Sequence, residues 1–512
     1  MNTPMELAGD HGVQSLIAAG AAPVSVGAGE LPLVRSRVAR AVYAATFLWT
    51  VGFSIAVAVE QHLFLLRRYD LGNFTQAVWS TAHGHLLRVT EVGGTEVSRL
   101  GIHVDPILLF LVPLWWLWSS PVMLQVVQVV ALGVGALPLF WIARKHLASE
   151  REAALVAAAY LICPAVSWNA AREFHAVALA VPLLIAAIWF LDEQRIVAFA
   201  VSAGLATLCQ EQIGLLAAGL GIWYAWRRRR VLSGLAIAVC GAVVSAVDFG
   251  IVLHHFSGGS PYYGRYAAVG GSPTGIAGNL FNHPLVLVSH LFQVTDLIGV
   301  AVLTVPVAFL CFRSSIMLAA VPQFALLMLS DRPADLDFSG QTVLPLLPFI
   351  YVGTVFALAR HRENRRWTAG HVVVVSIAIG AMLGPLNPLG RHLPDSGKVA
   401  AERRAVDMVP RSAAVSATSY LGAHLAERRK INVFPVLRGA DWVVVDVHDD
   451  FLPDVAQLKG RKGIGVGAHD LYRNPKLMKS ALRRLNTSTA WKRVFSSNGI
   501  SVFTRARMPS SQ

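Results

Sequence analysis

Apolar positions in this chain fall in long unbroken blocks. They show neither the alternation of a half-buried strand nor the narrow stripe of a soluble amphipathic helix. A helix that crosses a bilayer needs about 20 apolar residues. Eleven blocks approach that length, at residues 38–59, 119–143, 152–169, 174–191, 196–210, 212–226, 231–253, 294–312, 314–330, 341–359 and 368–389. The fifth and sixth are short and read as a broken or re-entrant pair. Residues 106–118 are too short to span, and their tryptophans suit a helix lying in the headgroup belt.

The polar residues between these blocks are sorted by sign. Arg35, Arg37 and Arg40 precede the first block, and Arg144 with Lys145 follows the second. Arg195, the run Arg227 to Arg230, Arg313, and Arg360, Arg362, Arg365 and Arg366 follow the fourth, sixth, eighth and tenth. If the blocks alternate in direction, all of these lie on one side, and positive charge in short loops marks the cytoplasm. The N-terminus is therefore expected inside. The opposite side carries Asp70, Glu91, Glu96, His103, Asp105, Glu173, His175, Glu211, Asp331, Asp335 and Asp337. Acids and histidines at the ends of spanning helices are costly unless paired or used. Some suit ion pairs, such as Glu91 or Glu96 with Arg88 or Arg99. Together they suggest the lining of an external cleft.

Composition agrees with this pattern. Of 512 residues, 54% are apolar and 14% charged, with a mean hydropathy of +0.53, against about 25% charged in soluble domains. The formal charge of +14 is explained by the arginine-marked loops and the C-terminal segment, so a nucleic-acid partner is not expected. Cys163, Cys209, Cys240 and Cys311 have no paired spacing and read as buried free thiols that pack as small hydrophobes. Residues 1–34 are rich in Gly and Ala and read as a disordered cytoplasmic tail; residues 35–390 form the bundle, with a long first external loop at 60–118. After Gly390 short β-type runs (Ala413–Ser416, Ile431–Phe434, Trp442–Val447, Ile500–Thr504) alternate with helical patterns. Residues 391–512 are thus expected to form an extracytoplasmic α/β domain. That segment holds 21 Lys and Arg against 10 Asp and Glu, which would attract anionic headgroups or an acidic envelope polymer.

The sequence carries no P-loop, GxSxG elbow, HExxH or CxxC. Its most suggestive local feature opens the first external loop, where Asp70 follows Arg67 and Arg68. A carboxylate there can take a proton while neighbouring cations receive developing phosphate charge. An exposed Asp–Arg surface pair has the same local sequence.

A family resemblance adds to this. Tyr69-Asp70-Leu71-Gly72-Asn73-Phe74, then Gln76 and Trp79, resembles the opening of a family of bacterial and archaeal membrane proteins, domain of unknown function 2079. Ser98 to Pro106 resembles its His-x-x-Pro segment, Pro121 to Arg144 with Gln128 its next helix, and Glu173-Phe174-His175 its acid-aromatic-His step. Glu211 matches a buried acid, Arg265-Tyr266 the large loop, and Ser416 to Pro435 the C-terminal part. Where relatives tend to show a His-Tyr pair, this chain has Ser339-Gly340-Gln341. The family is grouped with the GT-C glycosyltransferases, polytopic enzymes that take sugar from a polyprenyl-phosphate carrier on the outer face. The resemblance implies a GT-C-like helix bundle in the plasma membrane with Asp70 as its catalytic acid.

Two classes of function follow. In the first, Asp70 deprotonates an acceptor hydroxyl on an envelope glycan, lipid or protein, which displaces the lipid phosphate in one inverting step. Arg67, Arg68, Arg172, His175 or Arg265 would hold the leaving phosphate, with His103, Asp105, Glu173, Glu211 and Tyr266 lining the substrate site. A divalent cation is the candidate cofactor, with His103, Asp105, Glu173 and His175 as ligand types; hydrogen-bonded networks use the same residues. The second class is a transporter or lipid flippase, which Glu211, apolar on both flanks, fits better. A non-catalytic envelope scaffold is the third.

Overall fold

The computed structural model describes residues 36–257, 263–360, 365–385, 394–449, 451–453 and 471–506. The expected N-terminal tail lies outside them, as does the segment around residue 390. The chain folds as a helical bundle followed by a small mixed sheet.

The first long helix, α1 (Arg37–His62), starts where the Ser36 side chain accepts a hydrogen bond from the Ala39 amide. Its 26 residues extend about 39 Å at 1.5 Å per residue, more than a hydrocarbon core of about 30 Å. Helix α2 (Asn73–Ala82) lies in the first loop beside a two-stranded hairpin, β1 (Arg88–Thr90) with β2 (Glu96–Ser98). Then come α3 (Pro121–Leu147), α4 (Ala176–Asp192), α5 (Ile213–Arg228), α6 (Val231–Ser257) and α7 (Gln341–Arg360). Four of the helices, α1, α3, α6 and α7, are long and apolar enough to cross a membrane, and two bent pairs raise the number to six. Shorter apolar helices cover Pro106–Leu117, Ala176–Asp192, Ile196–Thr207, Ser315–Met328 and Ala369–Leu383.

The expected span at 152–169 is not straight. Glu150–Leu161 and Pro164–Ala170 meet at 52°, because Pro164 has no amide proton and forces Cys163 before it out of the helical region. Apolar side chains cover the outside of the bundle as well as its core. Leu232 is 86% exposed, and Phe47, Leu48, Ile55, Val239 and Val243 also face outward. Such a surface is stable against lipid rather than water. Within the bundle α5 and α6 meet along glycines, Gly214 and Gly221 against Gly241 and Gly234, where a Cβ would strike the facing backbone. Small residues let membrane helices approach this closely.

The C-terminal residues form α8 (Ser396–Asp407), α9 (Ser419–His424) and a five-stranded sheet. Its strands are β3 (Val415–Ala417), β4 (Ile431–Val433), β5 (Trp442–Asp446), β6 (Trp491–Ser497) and β7 (Ile500–Arg505). Their order is β4-β3-β5-β7-β6; β3 is parallel to β4 and β5, while β7 runs antiparallel to β5 and β6. The sheet does not stand apart. Phe64, just past α1, is buried in its core with Val399, Leu421 and Val444, and its ring stacks on His424 at 3.8 Å.

Candidate functional site

Asp70 lies in a single wide turn, Arg68–Gly72, that leads directly into α2. Its side chain is 31% exposed, and Oδ1 sits 3.5 Å from Nε2 of His175. That imidazole is held from behind: Nδ1 lies 2.9 Å from the Glu173 carbonyl and the His175 amide donates to Gln128 Oε1 at 2.7 Å. The Gln128 amide nitrogen donates in turn to the carbonyls of Asn169 and Glu173. A carbonyl can only accept, so Nδ1 carries the proton of the neutral ring, and Nε2 meets Asp70 as an acceptor or, when the ring is charged, as a donor. The Asp70–His175 pair can therefore store one proton between an oxygen and a nitrogen.

Charge around Asp70 comes from three elements. Burial alone would raise its carboxyl; the His175 ring and the charges of Arg99 and Arg67 outweigh it and hold the group below the usual carboxylate range. Arg67 donates its amide to Glu173 Oε1 at 3.2 Å and its Nε to the Tyr420 hydroxyl at 3.2 Å. Arg99 lies over the Phe74 ring at 3.7 Å, and Phe74 meets His175 edge-on at 5.9 Å. Arg99 also clamps buried Asp105 at 2.7 Å and donates to Asn73 Oδ1 at 2.8 Å. The α9 residues contribute Tyr420, whose amide donates to Asp449 Oδ2 at 3.2 Å. Burial pushes the Asp449 carboxyl up to about 6.

The structure thus brings Asp70, His175, Glu173 and Arg67 together. It places the other expected residues elsewhere. Arg68 is 1% exposed and donates to the backbone carbonyls of Thr90 and Ile431 at 2.9 and 2.5 Å. Its stem runs between Gly72 and Gly422, where a Cβ would lie 2.9 Å from Arg68 carbons. Arg68 braces the loop against the sheet, which corrects its expected place as a phosphate ligand. His103 pairs with Glu211 at 3.0 Å, and the second Glu211 oxygen accepts from the Val104 amide. With Asp105 on Arg99, the four cation ligands His103, Asp105, Glu173 and His175 do not converge. Among the described residues no group of three or more His, Cys, Asp or Glu is placed to hold a metal ion. Arg172 stacks on Trp168 at 4.9 Å. Arg265 and Tyr266 organise their own loop, through the Asp331 backbone amide donating to the Arg265 carbonyl and the Tyr266 hydroxyl donating to that of Leu326. Arg99 likewise pairs with Asp105, not with Glu91 or Glu96; Glu96 meets Arg88 and Arg429.

Three contributors were not legible as site residues. Tyr420 and Asp449 reach the site only through a packing partner more than 300 residues earlier in the chain. Arg99 reads locally as a hairpin surface charge. The Gly340 carbonyl, in the segment that replaces the His-Tyr pair, accepts from Asn169 at 3.3 Å and so lies beside the Gln128 clamp.

No curated protein matches the chain. Among solved structures it is similar to the crystal structure of ArnT from Cupriavidus metallidurans in the apo state. The identity is 12% and the TM-score 0.45, over 90% of this chain and 98% of that one. A family model described as "Predicted membrane protein (DUF2079)" matches residues 61–502. That match covers most of the sequence, from the end of α1 through the Asp70 turn into the C-terminal sheet, and the chain belongs to the DUF2079 family of predicted membrane proteins.

Proposed function

We propose that this protein transfers a sugar from a polyprenyl-phosphate donor to an acceptor hydroxyl on the outer face of the plasma membrane. The observation that carries the reading is the partly open Asp70 carboxylate against a backbone-locked His175. In the transfer the acceptor oxygen forms a bond to the anomeric carbon as the bond from that carbon to the phosphate oxygen breaks. The acceptor proton passes to Asp70, where His175 Nε2 can share it. The leaving phosphate keeps the bonding electrons, and Arg67 is the cation on the rim to receive its charge. The 3.5 Å separation is longer than a hydrogen bond, as expected of a catalytic pair before substrate closes it.

The test is transfer by purified protein in liposomes with a panel of polyprenyl-phosphate sugars. Asp70→Asn keeps size and shape but cannot take the proton, and a general base contributes roughly 10²–10⁴-fold. The variant should fold normally and lose transfer by that factor; parental activity in Asp70→Asn would give the base to another acid. The buried Glu211, in the link between the short helices Ile196–Thr207 and α5 and paired with His103, favours a second reading as a transporter. Solute movement across the bilayer with no transfer from any donor would select it.

A further inference from the structure

At the opposite end of the bundle four helices finish around a cavity of about 290 Å³. His146 of α3, Asp192 of α4, Trp223, Arg227 and Arg228 of α5, Phe356 and Arg360 of α7, and the Ser314–Ser315 turn line it. Helix α4 begins beside His175 and ends at Asp192. Its 17 residues put this cavity about 25 Å from the Asp70 site at 1.5 Å per residue.

The lining is polarised. Asp192 is 1% exposed and is met by Lys145 and His146 at 2.8 Å each and by Arg228. Its charge is thereby answered by Arg228 and by Lys145, which also meets Glu193 at 2.6 Å. Arg360 donates to the Arg313 carbonyl, a neutral partner that leaves the guanidinium charge in place. Among the described residues Arg227 has no carboxylate partner. Ser315 accepts from the Trp223 indole at 3.2 Å, so its own proton is free to point into the cavity. Arg227 and Arg360 therefore carry charge beyond what pairs with Asp192, above a floor of Trp223 and Phe356 stacked at 6.3 Å. Arginine forks match phosphate oxygens in pairs, and a volume at the low end of ligand pockets suits a small anionic group. Neighbouring Trp226 is exposed, as residues at headgroup depth are.

We infer that this cavity binds a phosphate group, presented as the headgroup of an anionic phospholipid in the leaflet opposite the Asp70 site. A free phosphate has the same chemistry. The test uses full-length protein in detergent and native mass spectrometry with phosphatidylglycerol or phosphatidylcholine. Arg227→Gln with Arg360→Gln should weaken phosphatidylglycerol retention at least about tenfold, as expected for lost hydrogen bonds to a charged group, and leave phosphatidylcholine unchanged. Arg229→Gln with Arg230→Gln removes equal charge just past α5, outside the cavity lining, and should bind like the parent. Equal binding by parent and the 227/360 variant, or an equal loss in the 229/230 variant, overturns the site. Arg227→Gln alone repeats the test if the double variant does not fold. Retention of phosphatidylglycerol against excess inorganic phosphate identifies the lipid. Thermal protection by phosphate alone, lost in the 227/360 variant, identifies the free anion.

Discussion

Two adjacent arginines show how the same side chain takes opposite roles. Arg67 stays at the rim, between Glu173 and the Tyr420 ring, while Arg68 is swallowed by the contact with the sheet. Removing Arg68 leaves the Thr90 and Ile431 carbonyls buried without donors, at about 1–3 kcal/mol each. Arg68→Met should therefore lower the thermal midpoint and speed proteolysis between the bundle and the sheet, whereas Arg67→Ala should fold and weaken donor use. His175 has a sharper signature. With it present, the Asp70 carboxyl titrates below the ordinary carboxylate range, so transfer should fall only in strong acid as the base is protonated. In His175→Gln the largest lowering influence is gone, and burial is opposed only by Arg99 and Arg67. The acid limb of the pH–rate profile should then move to higher pH; an unmoved limb would separate Asp70 from the rate.

At the scale of elements, the end of α1 is the hinge of the assembly. Phe64 sits in the left-handed region at φ 57°, a conformation that costs a bulky residue energy unless packing compensates. Burial against His424 supplies that compensation. His424 is pushed down to about 4 by burial, from an ordinary value near 6.5. Its folded pKa is depressed, so the unfolded chain takes the proton first and stability falls as pH drops from about 6.5 toward 4. At ~1.4 kcal/mol per unit the loss reaches roughly 3 kcal/mol. Glu402 and Asp449 act in the other direction, since burial raises them to about 7 and about 6, and protonation on acidification stabilises them. The comparison that isolates the histidine is parent against His424→Phe. Between pH 7 and pH 5 the change in thermal stability should be less favourable in the parent than in the variant.

For the whole molecule the question is which end of the bundle faces outward. The Asp70 turn, the hairpin and the C-terminal sheet gather at one end, and the arginines of α5 and α7 at the other. If arginine-rich ends mark the cytoplasm, reporter fusions after residues 145, 230 and 363 should read inside, and those after 90, 270 and 450 outside. A cytoplasmic report from position 450 would invert the protein and remove the envelope acceptor with it. The docked sheet adds an element of specificity to the proposed reaction. Tyr420 touches Arg67 from the C-terminal side, so Tyr420→Phe should change acceptor or donor KM more than the protein's stability.

Positions of the membrane helices could be read from the chain because hydrophobic length is a local property. The blocks at 38–59, 231–253 and 341–359 overlie helices Arg37–His62, Val231–Ser257 and Gln341–Arg360, and the runs at 431–434, 442–447 and 500–504 overlie strands. The bend at Pro164 was equally local and was missed, because apolar content across 152–169 is continuous while the backbone break is not. What could not be read was which polar groups meet. Asp70 and His175 are separated by two apolar spans and their loops, and Arg67 and Tyr420 by 353 positions. Nothing in spacing distinguishes Arg67 from Arg68, or tells that His103 turns to Glu211 and Asp105 to Arg99. Those choices are made by burial: each charge withdrawn from water must find a partner in reach, and only the packed bundle, with the sheet closed over Phe64, determines which partners are within reach.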